Sequence, residues 1–456
     1  MQSCDTFVLG GSGYECGNNL LAKNSDRPLG ECQPLVLIAG QEHPAGAMVK
    51  CTDLTIPQAA RTYTVLGSRP YWIWGFEMGV NEWGLAIGNE AQGSRCEAET
   101  ETGLLGMDLL RLGLERAKDC REAITVITEM LECYGQNANA SPLFDRRYEN
   151  SFLLVDPKEM WLLETAGRQW AAKQVENRYA ISNCYTIGAD YDLCSETLET
   201  YARERRWLAP SEPFDFAKAY TNPAPRQTAS VPRWRRLNKL IEAAGEMMTQ
   251  AQVQRVLRDH FEGELIEPRH GAFYGCFTTI CMHAMTWDAS QTAASLLAYW
   301  QEGLGWICRW APSMPCCSAY IPLYFTGTLP ESLTLGGEKF EERSLWWAVE
   351  RLEEAVSIDE ERFAPGVREA LRELELTLEQ EARQTERQAA ALMAQGQREQ
   401  ANGLLRALTE SAADRLMTLA NDLFSKIHAQ VEADGGLYGP RKAFLEDYCA
   451  RVEMTL

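Results

Sequence analysis

The first 28 residues carry the strongest constraint on the fold. Short apolar runs at 6–9 and 20–22 flank a turn cluster, Gly10, Gly11, Ser12 and Gly13. Two such runs around a glycine-rich connection are the pattern of a β-hairpin. A hairpin returns the far end of its second strand to the start of its first. Cys4 and the segment 24–27 (Asn24, Ser25, Asp26, Arg27) are therefore expected to be neighbours. A thiol, an acid and a cation brought together near a chain terminus suit catalysis.

The same pattern recurs along the chain. A tight turn at 81–84 precedes a short strand, 85–87, that ends on Asn89, and residues 150–164 read as strand, Asp-Pro turn, strand. Runs at 34–39, 62–66, 170–175, 178–182, 277–285, 292–299, 306–310 and 318–325 are strand-like, and the run at 178–182 ends on Asn183. Residues 104–134 read as two packed helices, with Asp119 to Glu122 forming a capping box at the start of the second. Further helices are expected at 201–208 and 235–248, on either side of a proline-rich loop at 210–232. Beyond Ser344 glycine and proline become sparse, and Leu416, Leu419, Leu423 and Ile427 keep helical spacing. The apolar spacing there is too irregular for a sustained coiled coil and favours a helical hairpin. Hairpins with segregated helices predict an α+β fold of antiparallel sheets. The expected division is a domain at 1–345 and a helical C-terminal extension at 346–456.

Composition narrows the function. The 456 residues carry a net charge of −20, from 44 basic and 64 acidic side chains. That is the opposite of a nucleic-acid footprint. No run approaches the roughly 18 apolar residues of a membrane span, and the N-terminus lacks the basic and apolar regions of a secretory signal. A cytoplasmic location is expected, and 15 scattered cysteines in a large chain fit a reducing compartment better than a disulfide framework.

Cys4 stands out among those cysteines. Removal of Met1, Gln2 and Ser3 would give it a free α-amine, with a pKa of about 7.7–8.0, beside a thiol of about 8.5. One residue would then hold nucleophile and base together. Cys276, Cys281 and His283 stand in a Cys-x4-Cys-x-His spacing that matches no strong zinc pattern. On an expected strand they read as buried thiols, so no metal and no cofactor is expected. His43, His260, His270 and His428 show no partner pattern. Adjacent Cys316 and Cys317 suggest neither a structural disulfide nor a Cys-x-x-Cys redox site.

Several segments occur together in order: Cys4-Asp5-Thr6-Phe7, Lys23-Asn24-Ser25-Asp26-Arg27, the stretch 79–91 with Gly84-Leu85-Ala86-Ile87-Gly88-Asn89-Glu90-Ala91, Asn150-Ser151-Phe152-Leu153, and Leu163-Glu164-Thr165-Ala166-Gly167. With Pro315-Cys316-Cys317-Ser318 and Ser344-Leu345-Trp346-Trp347, they resemble the secernin/dipeptidase family of cysteine N-terminal-nucleophile (Ntn) hydrolases. The resemblance runs from residue 4 to about 347 and leaves the helical tail unmatched. It implies a four-layer αββα sandwich whose nucleophile is exposed by autocatalytic cleavage.

It also implies roles. Cys4 matches the nucleophile, and Asp26 the acid that holds its α-amine. Asn89 and Asn183 match oxyanion donors. Arg233, with Arg235 nearly as good a match, resembles the remote arginine of the related bile-salt and penicillin amidases. Those amidases have an arginine three positions before the acid, where this chain has Lys23; either Lys23 or Arg27 is left to activate the thiol.

The expected activity is hydrolysis of small peptide or amide bonds, as a dipeptidase. The alternatives are an N-acyl amidase or acyltransferase on the same fold, or a non-catalytic secernin-like interaction protein. The expected partners are a small peptide or N-acyl amide substrate, with neither nucleic acid nor membrane. The helical extension is a candidate surface for self-association into a homo-oligomer.

Overall fold

Cys4–Leu9 (β1) and Leu20–Pro28 (β2) form the expected hairpin, with a single 3-10 turn at Gly11–Gly13 in the connection. The computed structural model describes residues 4–97, 99–223, 230–264, 278–284, 289–439 and 441–456. Its contacts divide the chain into two units. One takes in 2–23 and 38–256, the other 24–37 and 257–456. The division between 23 and 24 falls inside β2. The C-terminal helices share a unit with the last strands.

In the first unit β1 pairs antiparallel with Arg178–Ile181, Thr6 lying opposite Ile181. A second sheet is built from Val65–Ser68 (β3), Met78–Asn81 (β4), Ala86–Gln92 (β5), Glu149–Val155 (β6), Met160–Ala166 (β7) and Gln169–Val175 (β8). Arg178–Ile181 is β9, and Leu193–Cys194 (β10) closes the second sheet beyond β8. Its pairings are antiparallel, with Asn89 opposite Phe152 and Ser151 opposite Glu164. The Asp156-Pro157 turn joins β6 to β7. Asp156 Oδ1 accepts from the backbone of Lys158 (2.7 Å) and Glu159 (3.0 Å), the side-chain-to-backbone device that makes aspartate a turn residue.

Helices Gly106–Arg116 (α1) and Cys120–Tyr134 (α2) occupy the predicted span, and Asp119 caps α2 by accepting from Glu122 N at 3.0 Å. α1 packs on β4, β5 and β6, and α2 on β7 and β8. On the other side β1 lies against β5 and β6, and Ser230–Ala243 (α3) packs on β1 and β9. The layers within this unit thus run helix, sheet, sheet, helix. The helix expected at 235–248 begins and ends about five residues earlier.

In the second unit the far part of β2 borders Ser290–Gln301 (β11), followed by Gly305–Pro312 (β12) and Ile321–Tyr324 (β13). The strand expected at 277–285 is absent over its described part, 278–284. Most of those residues are buried, and they form no ladder. Leu345–Val356 (α4) lies on β12, and Glu360–Ala394 (α5) pairs with Arg398–Ala433 (α6) as the expected helical hairpin. Lys442–Val452 (α7) ends the fold. Among the described residues no helix is long and apolar enough to cross a membrane, and every cysteine is a free thiol.

α4 is anchored by acids. Glu350 accepts from Gln291 (2.7 Å), Ser313 (2.7 Å) and Tyr448 (2.8 Å), tying α4 to β11, to the end of β12 and to α7. Glu354 pairs with Arg441 at 3.2 Å. Burial, with Glu353 close by, pushes Glu350 up to about 7. A carboxyl raised above its unfolded value is worth most while protonated. Its contribution is complete below the ordinary glutamate range and is lost as pH rises towards 7. Glu350→Gln is expected to remove up to roughly 3 kcal/mol of the fall in stability between pH 5 and pH 8. Urea midpoints of both proteins across that range measure it; an unchanged slope would refute the assignment.

Candidate active site

β2 reads Leu-Leu-Ala-Lys-Asn-Ser-Asp-Arg-Pro and is buried along its whole length. Its polar side chains have no water to turn to, so each needs a partner. In the first unit the Lys23 ammonium lies 2.5 Å from the Asn89 carbonyl oxygen and 3.0 Å from Glu90 Oε2. Room for the lysine stem comes from Gly88, where a Cβ would stand 2.8 Å from Lys23 Cδ and 3.7 Å from Thr6. Burial favours a neutral amine here. The negative charges of a Cys4 thiolate, Glu90 and Glu77 outweigh it and hold Lys23 above the ordinary lysine range. Glu90 is pushed up to about 8 by burial, against the pull of Lys23. Lys23 is thus a fixed buried positive charge that favours a thiolate at Cys4.

The Cys4 backbone nitrogen is held separately. It donates to Asn183 Oδ1 at 2.9 Å. Arg233 Nη2 donates to the same oxygen at 2.7 Å, while Arg233 Nη1 lies 3.3 Å from Asp5 Oδ2. Asn183 in turn donates one amide hydrogen to the Ala91 carbonyl at 2.7 Å. Arg233 is buried on α3 and Arg235 is exposed, so only the former reaches this group. An asparagine fixed on one side by a guanidinium and on the other by a carbonyl holds a single amide orientation.

Asn89 is placed differently from the expectation. Glu90 on β5 meets Lys23, so Asn89, the adjacent residue, faces the opposite side of the sheet. Its amide lies 3.1 Å from Asn150 Oδ1, and its other end is 3.0 Å from the Glu77 carbonyl oxygen and 3.1 Å from Glu77 Oε2. It therefore braces the α1 side of the sheet. Asn150 fills the space that a Cβ on Gly106 would take, at 1.8 Å, which lets the start of α1 approach the sheet.

Asp26 belongs to the second unit, where Thr292 donates to its Oδ1 at 2.7 Å. Arg27 pairs with Glu31 at 2.8 Å in the same unit, and Ser25 donates to Gln33 at 2.9 Å. Asn24 donates to the carbonyls of Leu257 (2.7 Å) and Ile280 (2.9 Å) and accepts from Ser295 (2.7 Å). Lys23, one of the two cations left open by the sequence, is coupled to Cys4. Asp5 and Thr292 were missed as partners. Adjacency to Cys4 was a signal for Asp5, whereas nothing local marks Thr292.

Residues 3–372 match Peptidase family C69, and the chain belongs to that family. It is 27% identical over 220 residues to a dipeptidase from Bifidobacterium longum (strain NCC 2705), a stretch covering 42% of this chain and 39% of that protein. The match thus spans about two fifths of that relative's length. Among solved structures it is similar to a mutant conjugated bile acid hydrolase from Clostridium perfringens, with a TM-score of 0.40 and 12% identity over 73% of this chain and 94% of the other. Penicillin V acylase from Agrobacterium tumefaciens gives a TM-score of 0.38 and 14% identity over 71% and 86% of the two chains.

Lys23→Met should raise the Cys4 thiol pKa by about one to three units, the usual effect of losing an adjacent opposite charge. The pH profile of iodoacetamide alkylation, mapped to Cys4 by mass spectrometry, reads this out. A profile that does not move would remove Lys23 from the site.

Proposed function

We propose that the chain is a cysteine Ntn hydrolase of small peptide or amide bonds, acting as a dipeptidase with Cys4 as nucleophile after removal of residues 1–3. The observation that carries this reading is the hold on the Cys4 nitrogen. Asn183 Oδ1, itself fixed by Arg233, accepts from that nitrogen at 2.9 Å. A buried N–H needs an acceptor in any fold; what supports the reading is that this acceptor is a side chain fixed by a guanidinium, an arrangement suited to an α-amine whose lone pair must be aimed to take the thiol proton.

In this mechanism Cys4 Sγ attacks the scissile carbonyl carbon and its proton passes to the α-amine. Lys23 stabilises the thiolate. Asp26 is the acid that the resemblance assigns to the α-amine. The second amide hydrogen of Asn183 serves the oxyanion with backbone N–H groups, and Asn89 drops out of that role because it faces α1. Collapse of the tetrahedral adduct expels the amine product, which takes the proton back. Water then attacks the thioester, and the free acid leaves.

The intact mass of the purified protein is expected to correspond to an N-terminus at Cys4. Cys4→Ala should reduce dipeptide hydrolysis by about a thousandfold or more, as loss of a nucleophile does. Faster turnover of N-acylated amino acids than of dipeptides would move the assignment to an N-acyl amidase. An uncleaved chain whose Cys4→Ala variant keeps full activity would refute the mechanism.

A further inference from the structure

His260, Cys281, His283 and Cys316 come from three separated stretches of the second unit, yet one ligand atom of each lies within 4.8 Å of all the others. His283 Nε2 is 2.9 Å from His260 Nε2, 3.4 Å from Cys316 Sγ and 3.7 Å from Cys281 Sγ. A ring nitrogen has either one hydrogen or one lone pair, so it can satisfy only one of three neighbours in different directions. A central ion satisfies all of them. With Zn–N near 2.05 Å and Zn–S near 2.3 Å, the edges of a tetrahedral site are about 3.3 Å for N–N and about 3.6 Å for N–S. The two N–S separations bracket their edge, and the N–N separation of 2.9 Å is about 0.4 Å shorter than its own.

The other nitrogen of each ring supports the same conclusion. His260 Nδ1 faces Glu262 Oε1 at 3.2 Å, and His283 Nδ1 faces Glu353 Oε1 at 3.4 Å. A carboxylate behind each imidazole fixes the tautomer that leaves Nε2 bare towards the centre, which is the usual outer shell of a zinc-binding histidine. The approach is built into the backbone. Phe261 takes a φ of +65°, costly for a bulky side chain, in the turn that carries His260. Cys281 N donates to the Asp259 carbonyl at 3.1 Å, closing the two stretches together. Arg258 donates to the Pro315 carbonyl at 2.7 Å and secures the 3-10 turn that presents Cys316.

We propose that these four residues form a closed Cys2His2 zinc site with a structural role. Two thiolates and two neutral imidazoles balance the 2+ charge, so the buried group is neutral overall. Four protein ligands leave no open position for a water or substrate. The site also steadies a polar relay: Met282, between two of the ligands, donates its N–H to Thr292 Oγ1 at 2.9 Å, and that hydroxyl donates to Asp26 Oδ1 at 2.7 Å. The proposal stands whether or not Asp26 serves catalysis. It revises the reading of Cys281 and His283 as core residues and gives His260 a partner; Cys276 and His270 lie outside the described residues.

The full chain, expressed in zinc-replete medium and desalted, should carry about one zinc per chain by elemental mass spectrometry. Expressed with cobalt, it should show thiolate-to-cobalt charge-transfer bands in the near ultraviolet. Cys316→Ser and His283→Ala should lose most of the metal, whereas Cys317→Ser, which changes a neighbouring thiol outside the cluster, should keep it. Glu353→Gln should weaken zinc binding by about ten- to a hundredfold, read by competition with a chromophoric chelator. Metal-free wild-type protein that takes up neither zinc nor cobalt, a disulfide joining Cys281 to Cys316, iron in place of zinc, or cobalt bound without thiolate bands would each overturn the proposal. The wild-type measurements decide the matter even if a ligand variant fails to fold.

Discussion

The first unit depends on one buried charge. Lys23 crosses from β2 to the backbone of β5, and no solvent reaches it to lower the cost of its charge. An ammonium there is tolerable only with opposite charge at contact distance. Glu90, Thr6, Gly88 and Cys4 are all organised around that requirement. Gly88 is small because the lysine stem passes over it, and Thr6 stands beside it. Glu90 supplies a carboxylate that burial has already weakened as an anion. The Asn89 carbonyl and Glu90 meet the ammonium directly, and negative charge at Cys4 adds to their hold on it. In the proposed mechanism the same charge would favour the thiolate of Cys4.

The hairpins, the two-helix span at 104–134 and the helical tail were legible because each has a local cause. Glycine clusters, the Asp156-Pro157 turn and the Asp119 cap act within a few residues of their effect. Lys23 and Asn183 were legible as candidates, although their geometry was not. Asn89 and Asn183 looked equivalent, each ending a run of small and apolar residues. The structure separates them by strand parity. Asn89 lies inside β5, so its direction follows from Glu90 facing Lys23, whereas Asn183 lies beyond the end of β9 and is free to turn towards Cys4. A one-residue change of register reverses such an assignment, and the apolar pattern of a strand buried on both faces carries no register information.

The four-residue cluster was missed for a different reason. Its ligands are 21, 2 and 33 residues apart along the chain, with no repeated short spacing. Treating 277–285 as a strand also pointed Cys281 and His283 into a core. The described residues there form no ladder, and that irregularity is informative. Buried backbone outside regular structure needs partners from elsewhere, and here they come from Asp259, Thr292 and Asn24.

The C-terminal helices also change meaning. Read from the sequence, they are an extension and a candidate surface for self-association. Glu350 ties α4 to β11 and to Tyr448 on α7, Arg441 covers Glu354, and Arg309 on β12 reaches Glu379 and Glu386 on α5 at 2.8 and 2.9 Å. Truncation after 350 would strip Arg309 of both carboxylates inside a low-dielectric core and take Tyr448 from Glu350. Leaving one member of such a pair buried alone costs about 3–5 kcal/mol, a large fraction of the stability of an ordinary domain. A truncated chain that lost activity would therefore report unfolding of the unit that contains Asp26. A test of what the outer surface of α5 and α6 binds has to keep these helices and change only their exposed residues, such as Leu376 and Leu404.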